Sequence, residues 1–179
     1  MKQAFLHRIA APALAALLLA ACNGERDEGS DCPAHEKAQT PSGFCLPRYL
    51  TLKRDEVFGR KGPGKDYPAV YVYHALGLPV QVVDETSDWR RICDPDGATV
   101  WVSRSMVDGR RSVMALAGAP APLYAAPKPG AAPTAYLKPR AVAVIVGRRG
   151  AWAQIRADGR TGWVKPDEVW GLNDALQCR

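Results

Sequence analysis

Short runs of apolar side chains, broken at close intervals by turn residues, dominate this chain from residue 44 onwards. The runs AVYVY, PVQVV, WRRIC and TVWVS are rich in valine, tyrosine, tryptophan and isoleucine, and glycine, proline or aspartate bounds them. Such residues favour strands, and the bounding residues favour turns. No stretch after residue 22 sustains a helical apolar period over ten or more residues. The pattern predicts an all-β protein with strands at 69–73, 79–83, 89–93 and 99–103.

The second half of this region repeats the first. Segment 57–64 aligns without a gap on 123–130, and an apolar pair precedes a tryptophan in each half, at Trp89 and Trp152. Each half continues with an Asp-Gly turn and the sequence Gly-x-x-x-Trp-Val, which begins at Gly97 and at Gly159. Glycine supplies the positive φ that hairpin turns favour. Two copies of about 60 residues each match the size of minimal domains and predict two units with separate cores.

Alternation along the strands predicts the two cores. The first is predicted to contain Val72, Val80, Val82, Ile92 and Val102. The second is predicted to contain Val142, Val144, Ile155 and Val164. Most tryptophans are expected to pack in a core or between repeats, and one or two to line an exposed aromatic groove. The candidates are Trp89, Trp101, Trp152, Trp163 and Trp170.

The amino-terminal residues have a different pattern. Lys2 and Arg8 are followed by an unbroken apolar run over 9–21, which is typical of a secretory signal peptide. The run is shorter than the roughly 20 residues that a transmembrane helix needs. Leu19-Ala20-Ala21-Cys22 resembles the lipobox of bacterial lipoproteins, and this resemblance implies cleavage before a lipidated Cys22. The alternative is an ordinary signal peptide with a cysteine near its cut site.

The lipobox resemblance also implies a location. Asn23 stands where an aspartate marks inner-membrane retention in such lipoproteins, which favours the periplasmic face of the outer membrane. The polar residues that follow cannot bury enough apolar surface to fold and are expected to form a flexible tether. The predicted organisation is a signal peptide (1–21), a lipidated cysteine and tether (22–43), a first repeat (44–116), a second repeat (117–172) and a tail (173–179).

Net charge gives no support for nucleic-acid binding. The whole chain carries a formal charge of +6, which falls to +4 when the predicted signal peptide takes Lys2 and Arg8 away. So small an excess of positive charge on a protein that is predicted to be exported does not indicate a nucleic-acid partner.

Apart from Cys22 the chain has four cysteines, Cys32, Cys45, Cys93 and Cys178. An even number of cysteines in an oxidising compartment favours disulfides. Three connectivities are possible, and we favour Cys32 with Cys45 and Cys93 with Cys178. A zinc site at Cys32, His35 and Cys45 is the alternative, although the spacing matches no common ligand pattern. No metal and no cofactor are therefore predicted.

Residues for catalysis are scarce. Only His35 and His74 remain after processing, and neither G-x-S-x-G nor H-E-x-x-H occurs. Aspartates 94, 96 and 108 lie in predicted turns, where local hydrogen bonding accounts for them. The sequence predicts no catalytic residue and no enzyme.

Several segments together resemble the bacterial SH3-like (SH3b) domain over roughly residues 50–171. That family shows an R-x-G-P-G/S turn, a W-x-x-V/I strand, a glycine turn and G-W-V. The first repeat departs from the family at Phe58, where an asparagine is usual. The second has Ala126 in place of the arginine and Lys128 in place of the first turn glycine. The matching segments are Arg60-Lys61-Gly62-Pro63-Gly64, Trp89-Arg90-Arg91-Ile92, Asp96-Gly97 and Trp101-Val102.

This resemblance implies two tandem five-stranded barrels and a ligand groove beside the loop that follows the first strand. Arg60 has two interpretations: it pairs with a carboxylate of a wall peptide, or it bonds the backbone carbonyls of its own loop. The implied groove residues are Arg60, Lys61, Asp66 and Tyr67, with Trp89 or Tyr71 as an aromatic floor.

Two functions follow from these predictions. In the first, the barrels bind peptide or glycan of the cell wall, peptidoglycan, and the lipid anchor links them to the membrane. In the second, they dock an envelope protein as an adaptor or assembly factor. An aromatic cleft with basic rims favours the first function, and a flat apolar patch favours the second.

Overall fold

The computed structural model describes residues 40–173 and 175–178. Within them the chain forms fourteen strands and a single turn of 3-10 helix at Arg104–Met106. The strands are β1 (Arg48–Leu52), β2 (Val57–Arg60), β3 (Ala69–Tyr73), β4 (Pro79–Glu85), β5 (Trp89–Cys93), β6 (Thr99–Ser103), β7 (Val107–Asp108), β8 (Ser112–Ala115), β9 (Ala121–Tyr124), β10 (Pro133–Leu137), β11 (Val142–Arg149), β12 (Trp152–Ala157), β13 (Arg160–Val164) and β14 (Val169–Trp170).

The strands form two antiparallel sheets with the same topology. The first has the order β3-β2-β6-β5-β4-β1-β7, and the second has the order β10-β9-β13-β12-β11-β8-β14. Adding seven to each label of the first order gives the second, so the repeat in the sequence is also a repeat of the fold. The predicted all-β tandem architecture is confirmed. Each sheet has seven strands instead of the expected five, and the two-residue strands β7 and β14 are too short to leave a periodic pattern.

The first core lies where alternation predicts it, with an exception on β3. Four of its predicted members are fully buried: Val80, Val82, Ile92 and Val102. Val72 is 40% exposed, which corrects its assignment to the core. Its neighbour Tyr73 is buried, and successive side chains of a strand face opposite sides.

The second core shows a similar shift on β11. Ile155 and Val164 are fully buried as predicted, whereas Val144 is 48% exposed because Ala143 takes the inward position. Val142 is half-buried and packs against the first core instead of the second. The two cores therefore touch through this strand.

Both predicted hairpin turns are present. Asp158 and Gly159 have φ values of 48° and 76°, and the flanking residues Ala157 and Arg160 are cross-strand partners. This is a two-residue turn of the kind that matches strand twist. In the first repeat Gly97 has a φ of 85°.

The repeats are joined by direct contacts. Strand β8 pairs with β11 and β14, so the strand that opens the second sheet lies inside the 44–116 range predicted for the first repeat. The Ser112 hydroxyl donates to the Gly77 carbonyl at 2.7 Å, and the Trp170 indole donates to the Pro79 carbonyl at 3.0 Å. Trp170 also meets Tyr49 edge to face, with centroids 5.7 Å apart. Trp170 is thus a repeat-interface residue.

The carboxyl-terminal tail returns to the first repeat. Cys93 and Cys178 form the predicted disulfide, with Cα atoms 5.8 Å apart. Buried Gln81 donates to the carbonyl of Ala175 and accepts from the backbone amide of Gln177, both at 2.9 Å. The tail therefore lies across β4 and β5.

Other predictions fall partly or wholly outside the described residues. Cys45 is disulfide-bonded, and its predicted partner Cys32 lies outside them. The predicted signal peptide, the lipidation site Cys22 and most of the predicted tether also lie outside. In the part of the chain that the structure describes, no helix has the length and apolar character needed to cross a bilayer.

Candidate functional site

Arg60 at the end of β2 holds the loop that follows it. Its guanidinium donates to the carbonyl oxygens of Lys65 at 3.0 Å and Tyr67 at 2.7 Å. The Tyr67 ring covers Gly62, where a Cβ atom would lie 2.4 Å from the ring. This close approach requires glycine. The geometry matches the second interpretation of Arg60, in which it bonds the carbonyls of its own loop.

An open groove lies beside this loop. Alternation along β2 turns Val57 and Gly59 inward and leaves Phe58 facing solvent with 45% of its surface exposed. Trp89 on β5 is half-buried and is paired across strands with Ser103 on β6. We call this groove, of about 240 Å³, the repeat-1 groove; it is lined by Glu56, Phe58, Arg60, Lys65, Trp89, Ser103 and Met106.

The repeat-1 groove combines aromatic surface with groups of both charges. Phe58 and Trp89 supply two rings, Glu56 supplies an exposed carboxylate, and Lys65 supplies an exposed ammonium. The Lys65 ammonium forms no ion pair within the described residues. Such a surface suits a ligand that carries apolar and charged parts together.

The predicted groove residues are only partly brought together. Arg60 and Trp89 both line the repeat-1 groove. Tyr71 lies elsewhere, in a cleft between the repeats that also contains His74 and Arg140. The other three candidates are exposed residues of the loop itself: Lys61, Asp66 and Tyr67.

Sequence reasoning missed five of the seven lining residues. Phe58 was visible as an apolar residue on the outward side of a short strand, and alternation alone would have indicated it. The others come from two loops, a strand end and the 3-10 helix, which no periodic pattern joins: Glu56, Lys65, Ser103 and Met106.

The second repeat fills the equivalent place with its own side chains. The gap-free alignment of 57–64 on 123–130 puts Tyr124 at the position of Phe58, and Trp152 corresponds to Trp89 as the tryptophan that follows an apolar pair in each repeat. The two rings meet edge to face with centroids 5.4 Å apart. The Lys165 ammonium lies 4.8 Å from the Tyr124 centroid and 5.5 Å from the Trp152 centroid. A cation over aromatic faces is attracted by their negative potential.

A carboxylate completes this arrangement. The Tyr124 hydroxyl donates to Glu168 at 2.7 Å, and the Lys165 ammonium lies 3.7 Å from the same carboxylate. The hydrogen bond with Tyr124 raises the pKa of the Lys165 ammonium. The hydrogen bond to Glu168 raises the pKa of the Tyr124 hydroxyl. We call Tyr124, Trp152, Lys165 and Glu168 the repeat-2 cation cluster.

A cleft between the repeats brings together His74, Asp94 and Asp96. Asp94 is buried and accepts hydrogen bonds from the Tyr73 hydroxyl at 3.0 Å and from two backbone amides of its own turn. Burial, followed by the charge of Asp94, raises the pKa of the Tyr73 hydroxyl well above its usual range. These bonds give Asp94 a structural role in the hairpin. The Cys93 sulfur is bonded to Cys178 and is not a free nucleophile.

A second cleft lies between the repeats, with a volume of about 400 Å³. Its lining includes Leu76, Val142 and Val144 together with Arg110 and Arg156. Arg110 is engaged by Asp108, whose carboxylate oxygen lies 2.8 Å from the guanidinium. Across residues 40–173 and 175–178, no group of three or more histidine, cysteine or acidic side chains is placed to hold a metal ion.

A family model described as bacterial SH3 domain matches this chain twice, at residues 53–109 and 117–171. No curated protein matches the chain. Among solved structures it is similar to NlpC2 from Trichomonas vaginalis, with 13% identity and a TM-score of 0.32, over 70% of this chain and 48% of that one. It is also similar to NlpC1 from the same organism, with 11% identity and a TM-score of 0.31, over 69% and 45%. The chain spans about half the length of these two structures.

Proposed function

This chain belongs to the bacterial SH3 domain family in two tandem copies, and from this we propose that it is a non-catalytic protein of the bacterial cell envelope that binds peptide or glycan of the cell wall. Bacterial SH3 domains are cell-wall binding modules and usually occur in extracellular or envelope proteins. We assign this binding to the repeat-1 groove.

The observation that carries the proposal is the open aromatic groove of the first repeat. Wall peptides join apolar side chains to free charged groups, and this groove offers Phe58 and Trp89 beside Glu56 and Lys65. The second repeat fills the equivalent place with Lys165. We therefore assign the binding of wall material to the first repeat.

A pull-down on purified cell-wall sacculi tests the proposed function. The full chain is expected to sediment with sacculi, and Phe58→Ser is expected to release it because one exposed ring of the groove is lost. Tyr136→Ser is the matched control, since Tyr136 is an exposed aromatic residue of the second repeat. Failure of the unsubstituted protein to bind sacculi would contradict the proposal that it binds the cell wall.

We further propose that Cys22 carries lipid and anchors the protein at the periplasmic face of the outer membrane. The lipobox-like Leu19-Ala20-Ala21-Cys22 supports the anchor, and Asn23 supports the location. Several acyl chains are needed for lasting attachment, and a bacterial lipoprotein carries more than one. Mass spectrometry of the mature amino terminus tests this, and an unmodified Cys22 would contradict it.

An envelope-protein partner is a second candidate, favoured by the edge strand β3. This strand ends the order of its sheet and exposes Val70, Tyr71 and Val72. An exposed apolar edge can accept a strand from another protein. A photoreactive residue at Val70 would crosslink such a partner in cells, and crosslinking at Thr99, an exposed position of the inner strand β6, is the control. Equal crosslinking at both positions would contradict a specific docking edge.

A further inference from the structure

The two repeats differ at one position that decides whether their aromatic pocket is open. Register pairs Trp89 with Ser103, and the same register continued along β12 and β13 places Lys165 opposite Trp152. Ser103 and Lys165 are therefore equivalent. In the second repeat the Lys165 ammonium lies over both rings, whereas in the first a short hydroxyl leaves a groove.

The carboxylate that accompanies the cation also differs between the repeats. Glu168 is near the ammonium in the second repeat, and the equivalent residue in the first is Met106. Glu56, which directly precedes β2, brings a carboxylate to the repeat-1 groove instead. The residue aligned with Glu56 in the second repeat is Pro122, which has no charge. The first repeat thus keeps two rings and a carboxylate in its groove, and among the described residues no cation is placed over Phe58 or Trp89.

We propose that the repeat-1 groove binds the primary ammonium group of a wall peptide, in an amino-acid residue that also carries a carboxylate. The ammonium lies over Phe58 and Trp89 with Glu56 as its counter-ion, in the place that Lys165 fills in the second repeat. The carboxylate is attracted by Lys65, which also lines the groove. This inference rests on the proposed function and names the chemical group that it recognises.

Three small probes separate the parts of the ligand. These are 6-aminohexanoate, which carries both charges, hexylamine, which carries the ammonium, and hexanoate, which carries the carboxylate. Their binding to the full chain is followed by the nuclear magnetic resonance shift of the Trp89 indole. We expect saturable binding of 6-aminohexanoate, binding of hexylamine at least tenfold weaker, and no saturable binding of hexanoate. Hexanoate binding as tightly as 6-aminohexanoate, or no saturable shift with any probe, would overturn the proposal.

A designed substitution tests the comparison between the repeats directly. Ser103→Lys places the second repeat's own cation in the first and is expected to abolish binding of 6-aminohexanoate. The control Thr99→Lys adds the same charge at the exposed far end of β6, outside the groove. An unchanged melting temperature shows that each variant is folded. Undiminished binding by folded Ser103→Lys would overturn the proposal.

Glu56→Gln gives an independent test, because it removes the counter-ion without filling the groove. It is expected to weaken 6-aminohexanoate binding at least tenfold, and unchanged binding would contradict the assigned role of Glu56. Sacculus binding retained by Ser103→Lys would overturn this inference and leave the proposed function standing. If the protein binds 6-aminohexanoate saturably but does not sediment with sacculi, only the proposed function is overturned.

Discussion

Arg140 in the second repeat forms a bidentate ion pair with Asp96 in the first, with nitrogen–oxygen distances of 2.8 and 2.7 Å. Arg140 has a φ of 62°, in the left-handed region. Asp96 lies in the hairpin turn between β5 and β6, so the pair joins a turn of each repeat. Because each barrel has its own core, this bond acts on the angle between the repeats more than on the stability of either one.

Asp96→Asn is therefore expected to change the free energy of unfolding by no more than about 1 kcal/mol, as is usual for exposed ion pairs. The angle between the repeats should change, because the bidentate bond is lost. Residual dipolar couplings measure that angle, and Asp66→Asn on an exposed loop is the control. A drop of several kcal/mol with an unchanged angle would contradict this prediction.

Glu85 links the start of the first repeat to β4 and β5. Its side chain is fully buried between Arg48 and Arg90, and the Arg90 Nε atom lies 3.1 Å from the carboxylate. Burial acts to raise the pKa of Glu85, but hydrogen bonds from Ser42 and Arg48 outweigh burial and hold the pKa below its usual value of 4.5. The charged carboxylate is therefore the form that stabilises the fold.

The stability that Glu85 gives to the fold is expected to fall as the pH is lowered. The contribution of Glu85 is fully present above about pH 4.5, the value in the unfolded chain, and is lost as pH falls through the lower folded pKa. Glu85→Gln is expected to cost about 3 to 5 kcal/mol at pH 7, because it leaves two arginines without their buried partner. Urea titrations at pH 7 and pH 3 should show a smaller difference between variant and parent at pH 3. A constant difference would contradict the assignment.

The disulfide between Cys93 and Cys178 closes a loop over a sequence separation of 85 residues. In the chain-entropy model such a loop stabilises the folded state by up to about 4 to 5 kcal/mol, because it restricts the unfolded chain. The double substitution Cys93→Ser and Cys178→Ser is expected to lower the melting temperature accordingly. Leu176→Ser, at an exposed position of the same tail, is the control. A loss no larger than in this control would show that the tail adds little to stability.

The local features of this fold are those that the sequence could predict. Gly97 and Asp158-Gly159 indicate their turns because a hairpin depends on a few adjacent dihedral angles. Val72 and Val144 were misplaced because alternation fixes which residues share a face, and only tertiary packing decides which face is buried. If the alternation is moved by one residue along the strand, the buried and exposed faces change places.

The candidate site was harder to predict because it joins residues that are distant in the chain. Arg60 and Trp89 were indicated by family resemblance and do line one groove, whereas Tyr71 lies in a separate cleft. Ser103 and Met106 have no chemical signature of their own. Their importance becomes visible only when the structure shows which side chains occupy the same positions in the second repeat.

Arg60→Ala tests how much the Arg60 guanidinium contributes to the stability of its loop. Loss of its two bonds to loop carbonyls is expected to lower the free energy of unfolding by about 1 to 2 kcal/mol. The loop should loosen without unfolding the barrel, because the second repeat has Ala126 at this position and still closes its loop with an Ala125 to Ala132 backbone hydrogen bond of 3.1 Å. Phe58→Ser, at an exposed position, should change stability by only about 0.5 kcal/mol. Urea denaturation measures both variants, and an undiminished stability of Arg60→Ala would show that its carbonyl bonds do not support the loop.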